Sequence, residues 1–182
     1  PELNGKVDFD ALASQVAFLR RGGVHGVAWP QIASGWTTLD EADRIKGAEV
    51  MAQAARGGKT ALIIGVQSRT GDFAEIERYA RHAEKIGADG VICIPPADVN
   101  QAGLLALYQR LGKVTSLPIM VQAVGDVPVD LLIKMYETIP TVRYVKDETG
   151  DPMQRVGEIT RRTNGQMKSF SGFGVYTMIN EM

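Results

Sequence analysis

The sequence predicts an α/β protein built on a parallel sheet, and three observations carry that prediction. Six short apolar runs of strand composition alternate with helical patterns, at roughly 25 to 35 residues per strand–helix unit. The runs at 59–66 and 90–94 are almost free of polar residues, as strands covered on both faces should be. No Gly-x-Gly-x-x-Gly follows any strand, which argues against a dinucleotide-binding sheet. The topologies that remain are a (β/α)₈ barrel and an open doubly wound sheet.

Taken in order, residues 8–21 predict a helix, because Phe9, Leu12, Val16 and Leu19 recur at three and four. Gly22-Gly23 ends it, a strand runs over 24–29 to Pro30, and a loop covers 31–36. Thr38 and Glu41 have the spacing of a capping box, opening a helix to about Arg56. Asp72 and Glu75 repeat that spacing after the 59–66 strand and open a helix to Gly87. Strand 90–94, helix 100–112, strand 118–124 and helix 127–138 follow. The chain then predicts a strand from Thr141, a helix over 152–163, a strand over 167–170 and a new helical start after Gly174. Six strands cannot close an eight-stranded barrel, and a complete one takes about 250 residues. The expectation is a single (β/α) domain over 1–182, part of a longer chain and incomplete at both ends.

Composition narrows the function classes. Lys+Arg number 20 and Asp+Glu 21, a formal charge of −1, so no basic footprint points to nucleic acid or an anionic membrane. No leader-like or membrane-length apolar run is present, and the expected location is the cytoplasm. Two histidines without a His/Cys cluster argue against zinc. The lone Cys93 lies in an apolar run with no histidine nearby in sequence and reads as a buried, inert thiol.

The run from Thr141 to Gly150 holds the residues with most chemical promise. Val142, Tyr144 and Val145 give it strand character, and Pro140 and Gly150 bound it. The period of two places Val142, Tyr144, Lys146 and Glu148 on one face. If that face looks into a barrel, Lys146 is an amine in a poorly solvated place at the carboxyl end of its strand. Desolvation disfavours the ammonium and frees the amine to attack a carbonyl carbon. The alternative is a lysine that snorkels into water. Lys59, Lys113, Lys134 and Lys168 sit at element ends or on polar faces and read as solvated charge.

The order of several short motifs resembles the dihydrodipicolinate synthase/N-acetylneuraminate lyase family of class I, Schiff-base aldolases. They are Gly22-Gly-Val-His-Gly26, Thr38-Leu-Asp-Glu41, Gly87-Ala-Asp-Gly-Val91 with Pro95-Pro96, Leu117-Pro118 and Val145-Lys-Asp-Glu-Thr-Gly150. The resemblance implies a TIM barrel, about six of its eight units, with Trp29, Val66, Ile94, Gln122, Lys146 and Ser171 near the carboxyl ends of their strands. It implies that Lys146 forms an imine with pyruvate or another 2-oxo acid, with no added cofactor or metal. It implies that Ser171 and Gly172 lie beside the imine, and that the protein is a homodimer or homotetramer.

Two family elements are replaced. The stretch resembling Gly-Thr-Thr-Gly-Glu, which holds the substrate carboxylate in the family, is Gln31-Ile-Ala-Ser-Gly35, leaving Ser34 as its hydroxyl. Gln122 stands where the family's proton-shuttling tyrosine resembles it, and a glutamine cannot act as acid or base near neutral pH. Tyr144 and Glu148, on the Lys146 face, are the candidates to supply that proton transfer. The expected function is a Schiff-base lyase, aldolase or dehydratase, on a 2-oxo acid. The alternatives are a non-catalytic relative kept for binding or assembly, and an unrelated α/β binding protein.

Overall fold

The structure is a computed structural model that describes residues 2–3 and 5–172, with backbone alone at Glu2, Leu3 and Pro152. The helical start expected after Gly174 lies outside the described residues. A two-stranded antiparallel hairpin, β1 (Glu2–Leu3) with β2 (Lys6–Val7), comes first, and the sequence reading did not anticipate it. Six strands then form one wholly parallel sheet in chain order: β3 (Gly26–Trp29), β4 (Ala61–Gly65), β5 (Gly90–Cys93), β6 (Ile119–Ala123), β7 (Val142–Asp147) and β8 (Lys168–Ser171). Between them run α2 (Glu41–Ala55), α3 (Phe73–Ile86), α4 (Gln101–Val114), α5 (Val129–Thr138) and α6 (Pro152–Arg162), with α1 (Phe9–Arg21) before β3. Strands in chain order with a helix in every crossover make a parallel half-barrel, the six-unit portion of a (β/α)₈ barrel. The six residues expected near the carboxyl ends of their strands all lie there.

Each helix buries one stripe against the sheet. In α3 the stripe is Ile76, Tyr79, Ala80 and Ala83, and in α4 it is Leu104, Leu107, Tyr108 and Leu111. Neighbouring helices pack side by side, α1 on α2 and so on to α6. Trp29 turns outward onto α2, where Gly47 leaves room for its ring; a Cβ there would come within 2.8 Å of Cζ3.

Local chemistry corrects three expectations. Thr38 is not the cap of α2. Its hydroxyl donates to Gly35 O at 2.8 Å, and Asp40 caps the helix by accepting from Asp43 N at 2.7 Å. A carboxylate two residues later outcompetes the threonine, and residues 32–34 and 36–38 close into 3₁₀ turns where a plain loop was expected. At α3, Asp72 does cap, accepting from Ala74 N, but Glu75 turns away to Ser68 and Tyr79. Third, Val142 does not share the Lys146 face. The pairing of β6 with β7 shifts between Ile119 and Met120, so that Ile119 matches Val142 while Met120 matches Tyr144. The extra residue is Arg143, and this bulge turns Val142 with Ile119 toward the helix layer while Tyr144 and Lys146 face inward.

Candidate active site

Lys146 is the last inward-facing residue of β7 and is in register with Gln122 on β6. Its Nζ lies 3.0 Å from Glu148 Oε1. The other carboxylate oxygen, Oε2, accepts from Gln122 Nε2 at 2.6 Å. One carboxylate thus ties the amine to Gln122. Glu148 reaches them because its backbone already belongs to the sheet, its N–H donating to Ala123 O at 2.9 Å. Gly172 backs the carboxylate: its N–H donates to Asp147 O at 2.8 Å, and a Cβ on it would overlap Glu148 Cγ. That close approach is the physical reason for a glycine at this position.

On this sheet of six strands the Lys146 side chain is 26% exposed and Glu148's 19%.

The structure brings some predicted residues together and leaves others apart. Tyr144 faces the interior one step below Lys146, its ring 6.1 Å from that of Phe170. Its hydroxyl makes no hydrogen bond among the described residues. Phe170, rather than Ser171, is in register with Lys146; Ser171 matches Asp147 and borders the same interior cavity. That cavity, about 460 Å³, is walled by Ala28, Ile63, Met120, Tyr144 and Phe170 with Lys146 at its upper rim. Ser34 is exposed, its hydroxyl accepting from Gln31 N at 3.4 Å, and no contact joins it to Lys146 among the described residues.

Three supporting groups escaped the sequence reading. Tyr108, fully buried on α4, donates to Cys93 O at 2.7 Å and accepts from Gln122 N at 3.0 Å, bridging β5 and β6 just below the site. Burial holds its phenol well above the ordinary tyrosine pKa, so it stays a neutral donor. Asp147 points outward, fully buried, and takes Arg155 Nε at 2.8 Å while Arg155 Nη2 donates to Val127 O. Burial raises the Asp147 carboxyl from its usual range, with Arg155 opposing. Arg44, only 4% exposed, sends Nη1 to Gln67 O at 2.7 Å and Nη2 to Gly65 O at 3.0 Å. It lies 3.7 Å from the Tyr79 ring centroid and 3.8 Å from Glu75, a buried cation fastening the carboxyl end of β4. Desolvation lowers its pKa from the ordinary value.

Other reactive groups are quiet. Cys93 is fully buried and its thiol is pushed up to about 12 by desolvation. His82 lies 3.5 Å from Glu49 on the helix surface, and His25 precedes β3 at the far end of the barrel from the lysine. The lysines at 59, 113, 134 and 168 are exposed. Among the described residues no group of three His, Cys, Asp or Glu could hold a metal, and no helix is long and apolar enough to cross a membrane.

Comparison with known proteins decides the family. The dihydrodipicolinate synthetase family model matches residues 2–181. The chain belongs to that family. Among curated members it is 31% identical over 158 residues to the 4-hydroxy-tetrahydrodipicolinate synthase of Phenylobacterium zucineum, covering 83% of this chain and 52% of the relative. It is 29% identical over 135 residues to an uncharacterised DapA-like lyase of Pyrococcus abyssi, covering 71% and 44%. The chain spans about half the length of the curated relatives it matches. Among solved structures, it superimposes on the synthase of Cyanidioschyzon merolae with TM-score 0.90 at 22% identity, covering 99% of this chain and 62% of that one. An N-acetylneuraminate lyase from Mycoplasma synoviae gives 0.83 at 18% identity, covering 94% and 59%. At such identities these two matches establish the shared fold of the family.

Proposed function

We propose that the chain carries the Schiff-base centre of a lyase acting on pyruvate or another 2-oxo acid, with Lys146 as the imine-forming residue. The observation that supports it best is the placement of the Lys146 amine, inside a (β/α) barrel at a strand's carboxyl end, 3.0 Å from the carboxylate of Glu148. Active sites of this architecture gather on that face because the βα loops converge there.

Glu148 supplies the proton transfers that Gln122 cannot. Its carboxylate takes a proton from the Lys146 ammonium, and the freed amine adds to C2 of the 2-oxo acid. The carbonyl oxygen, protonated in turn through Glu148, leaves as water, and the nitrogen lone pair closes a protonated imine. Glu148 ends this sequence as carboxylate again. It then removes either a C3 proton, giving the enamine, or the proton of a C4 hydroxyl as the C3–C4 bond breaks and its electrons flow into the imine. Gln122 orients the carboxylate, and Tyr108 holds the Gln122 backbone. Tyr144 is the runner-up for this role, one layer lower.

A second reading, a non-catalytic relative, is favoured by two observations: the amine is already engaged by a resident carboxylate, and Ser34 is the one hydroxyl left in the stretch that resembles the family's carboxylate loop. Exchange of the pyruvate methyl hydrogens with deuterium from solvent separates the two. The lyase reading expects exchange that Lys146→Ala abolishes; no exchange above the uncatalysed rate supports the second.

A further inference from the structure

A second cavity opens on the same barrel face as Lys146, among the loops that follow β3, β4, β5 and β6. Its volume is about 470 Å³, and its walls are mostly apolar: Ile32, Trp36, Pro95, Pro96 and Val124. Two links tie its rim to the residues around the lysine. Val124 follows Gln122 by two residues, and Gly125 O, on the cavity rim, accepts from Thr149 Oγ1 at 2.7 Å, one residue beyond Glu148. One charged residue lines it, Arg69. That guanidinium is tethered by a single bond, Nη1 to Thr37 O at 2.9 Å; its other N–H groups have no partner among the described residues. The carboxylates nearby are directed elsewhere. Glu75 is engaged by Ser68 and Tyr79, Asp72 caps α3, and Asp126 accepts from Gln101 Nε2 at 2.9 Å.

We propose that this cavity is the subsite for the distal half of the substrate, and that it selects an acidic terminus, carboxylate or phosphate, carried on an apolar chain or ring. A guanidinium fork with free N–H groups matches either anion bidentately, and the apolar wall beneath it offers no partners for a row of hydroxyls. Around Lys146 the Glu148 carboxylate and the C1 carboxylate of the 2-oxo acid are already two anions, which leaves a third poorly placed there. An acidic group at the far end of the substrate therefore finds the one cation of this cavity's lining at Arg69, an exposed side chain. The inference rests on the imine reading for the substrate's other end.

Trp36 in the cavity wall provides the readout. Its fluorescence is titrated with straight-chain diacids from glutarate to suberate, with propyl phosphate, and with hexanoate as a probe lacking a second acidic group. Trp36→Phe identifies the part of the signal that comes from the cavity. The expected result is saturable binding of a diacid or of propyl phosphate that Arg69→Gln weakens at least tenfold, with Arg69→Lys intermediate and hexanoate insensitive to either change. The tighter of the two probe classes names the terminal group. Diacid and phosphate affinities within twofold between wild type and Arg69→Gln, no saturable response to either, or an equal loss for hexanoate would overturn the proposal. Borohydride trapping of pyruvate on the wild-type protein is run alongside. Label without Arg69 dependence removes the distal subsite alone, whereas Arg69-dependent binding without label removes the imine reading alone.

Discussion

Replacing Glu148 by glutamine keeps the size of the side chain and removes its charge, and the geometry sets what should follow. Glu148 accepts from two donors, Lys146 Nζ at 3.0 Å and Gln122 Nε2 at 2.6 Å. A glutamine has one acceptor oxygen, so its amide nitrogen must face one of those donors and that bond is lost. With side chains 26% and 19% exposed, the ion pair itself stabilises the fold by about 0.2–1 kcal/mol. The charged bond to Gln122 adds about 1.5–3 kcal/mol, of which a neutral amide recovers part. Stability should therefore fall by about 1–2 kcal/mol, small beside the ~5–15 kcal/mol of a typical domain. Proton transfer suffers much more, because removing a general acid–base lowers rates by about 10²–10⁴, or about 3–5 kcal/mol of barrier. The assay is loss of the pyruvate methyl proton signal in deuterated buffer, with denaturant unfolding measured in parallel. An exchange rate within threefold of wild type would refute the assignment of Glu148, as would a rate loss fully accounted for by unfolding.

Further outcomes follow from the same geometry. Tyr144→Phe should retain exchange within about threefold, since acid–base groups that act are worth about 10² or more; a hundredfold loss would move the proton transfer from Glu148 to Tyr144. Arg155→Met strands the buried Asp147 carboxylate and should cost about 3–5 kcal/mol at neutral pH. Burial raises the folded pKa of Asp147, so the folded state holds that proton more tightly than the unfolded chain, whose value is about 3.9. The penalty is then absent below that value and grows as pH rises through the folded one; a deficit as large near pH ~4 as near pH ~7 would contradict this. Gly47→Ala should destabilise by about 1–3 kcal/mol in denaturant unfolding, because its methyl group meets the Trp29 ring; an unchanged midpoint would show that the ring can move aside at no cost.

The strands were legible because their apolar runs are bounded by glycine and proline, and the position of Lys146 at a strand's carboxyl end followed from that alone. The bulge before Tyr144 was not, since register depends on the partner strand and Val142 is as good a strand residue on either face. The Lys146–Glu148 contact was legible, because the period of two puts both residues on one face; the bond from Gln122, arriving on β6, was not, since no periodicity encodes it. Arg44 was within reach: it falls on the buried stripe of α2 with Gly47, Ala48, Met51 and Ala52, and a cation on such a stripe announces a buried acceptor. Tyr108 lies likewise on the Leu104–Leu111 stripe of α4, where a phenol needs a partner and finds two strand ends.

The central claim is that Lys146 forms a covalent imine, and borohydride reduction in the presence of pyruvate tests it most directly. Intact mass should show one carboxyethyl group per chain, peptide mapping should place it on Lys146, and Lys146→Ala should take up none. Label on Lys59, Lys113, Lys134 or Lys168, or no label at saturating pyruvate, would contradict the account.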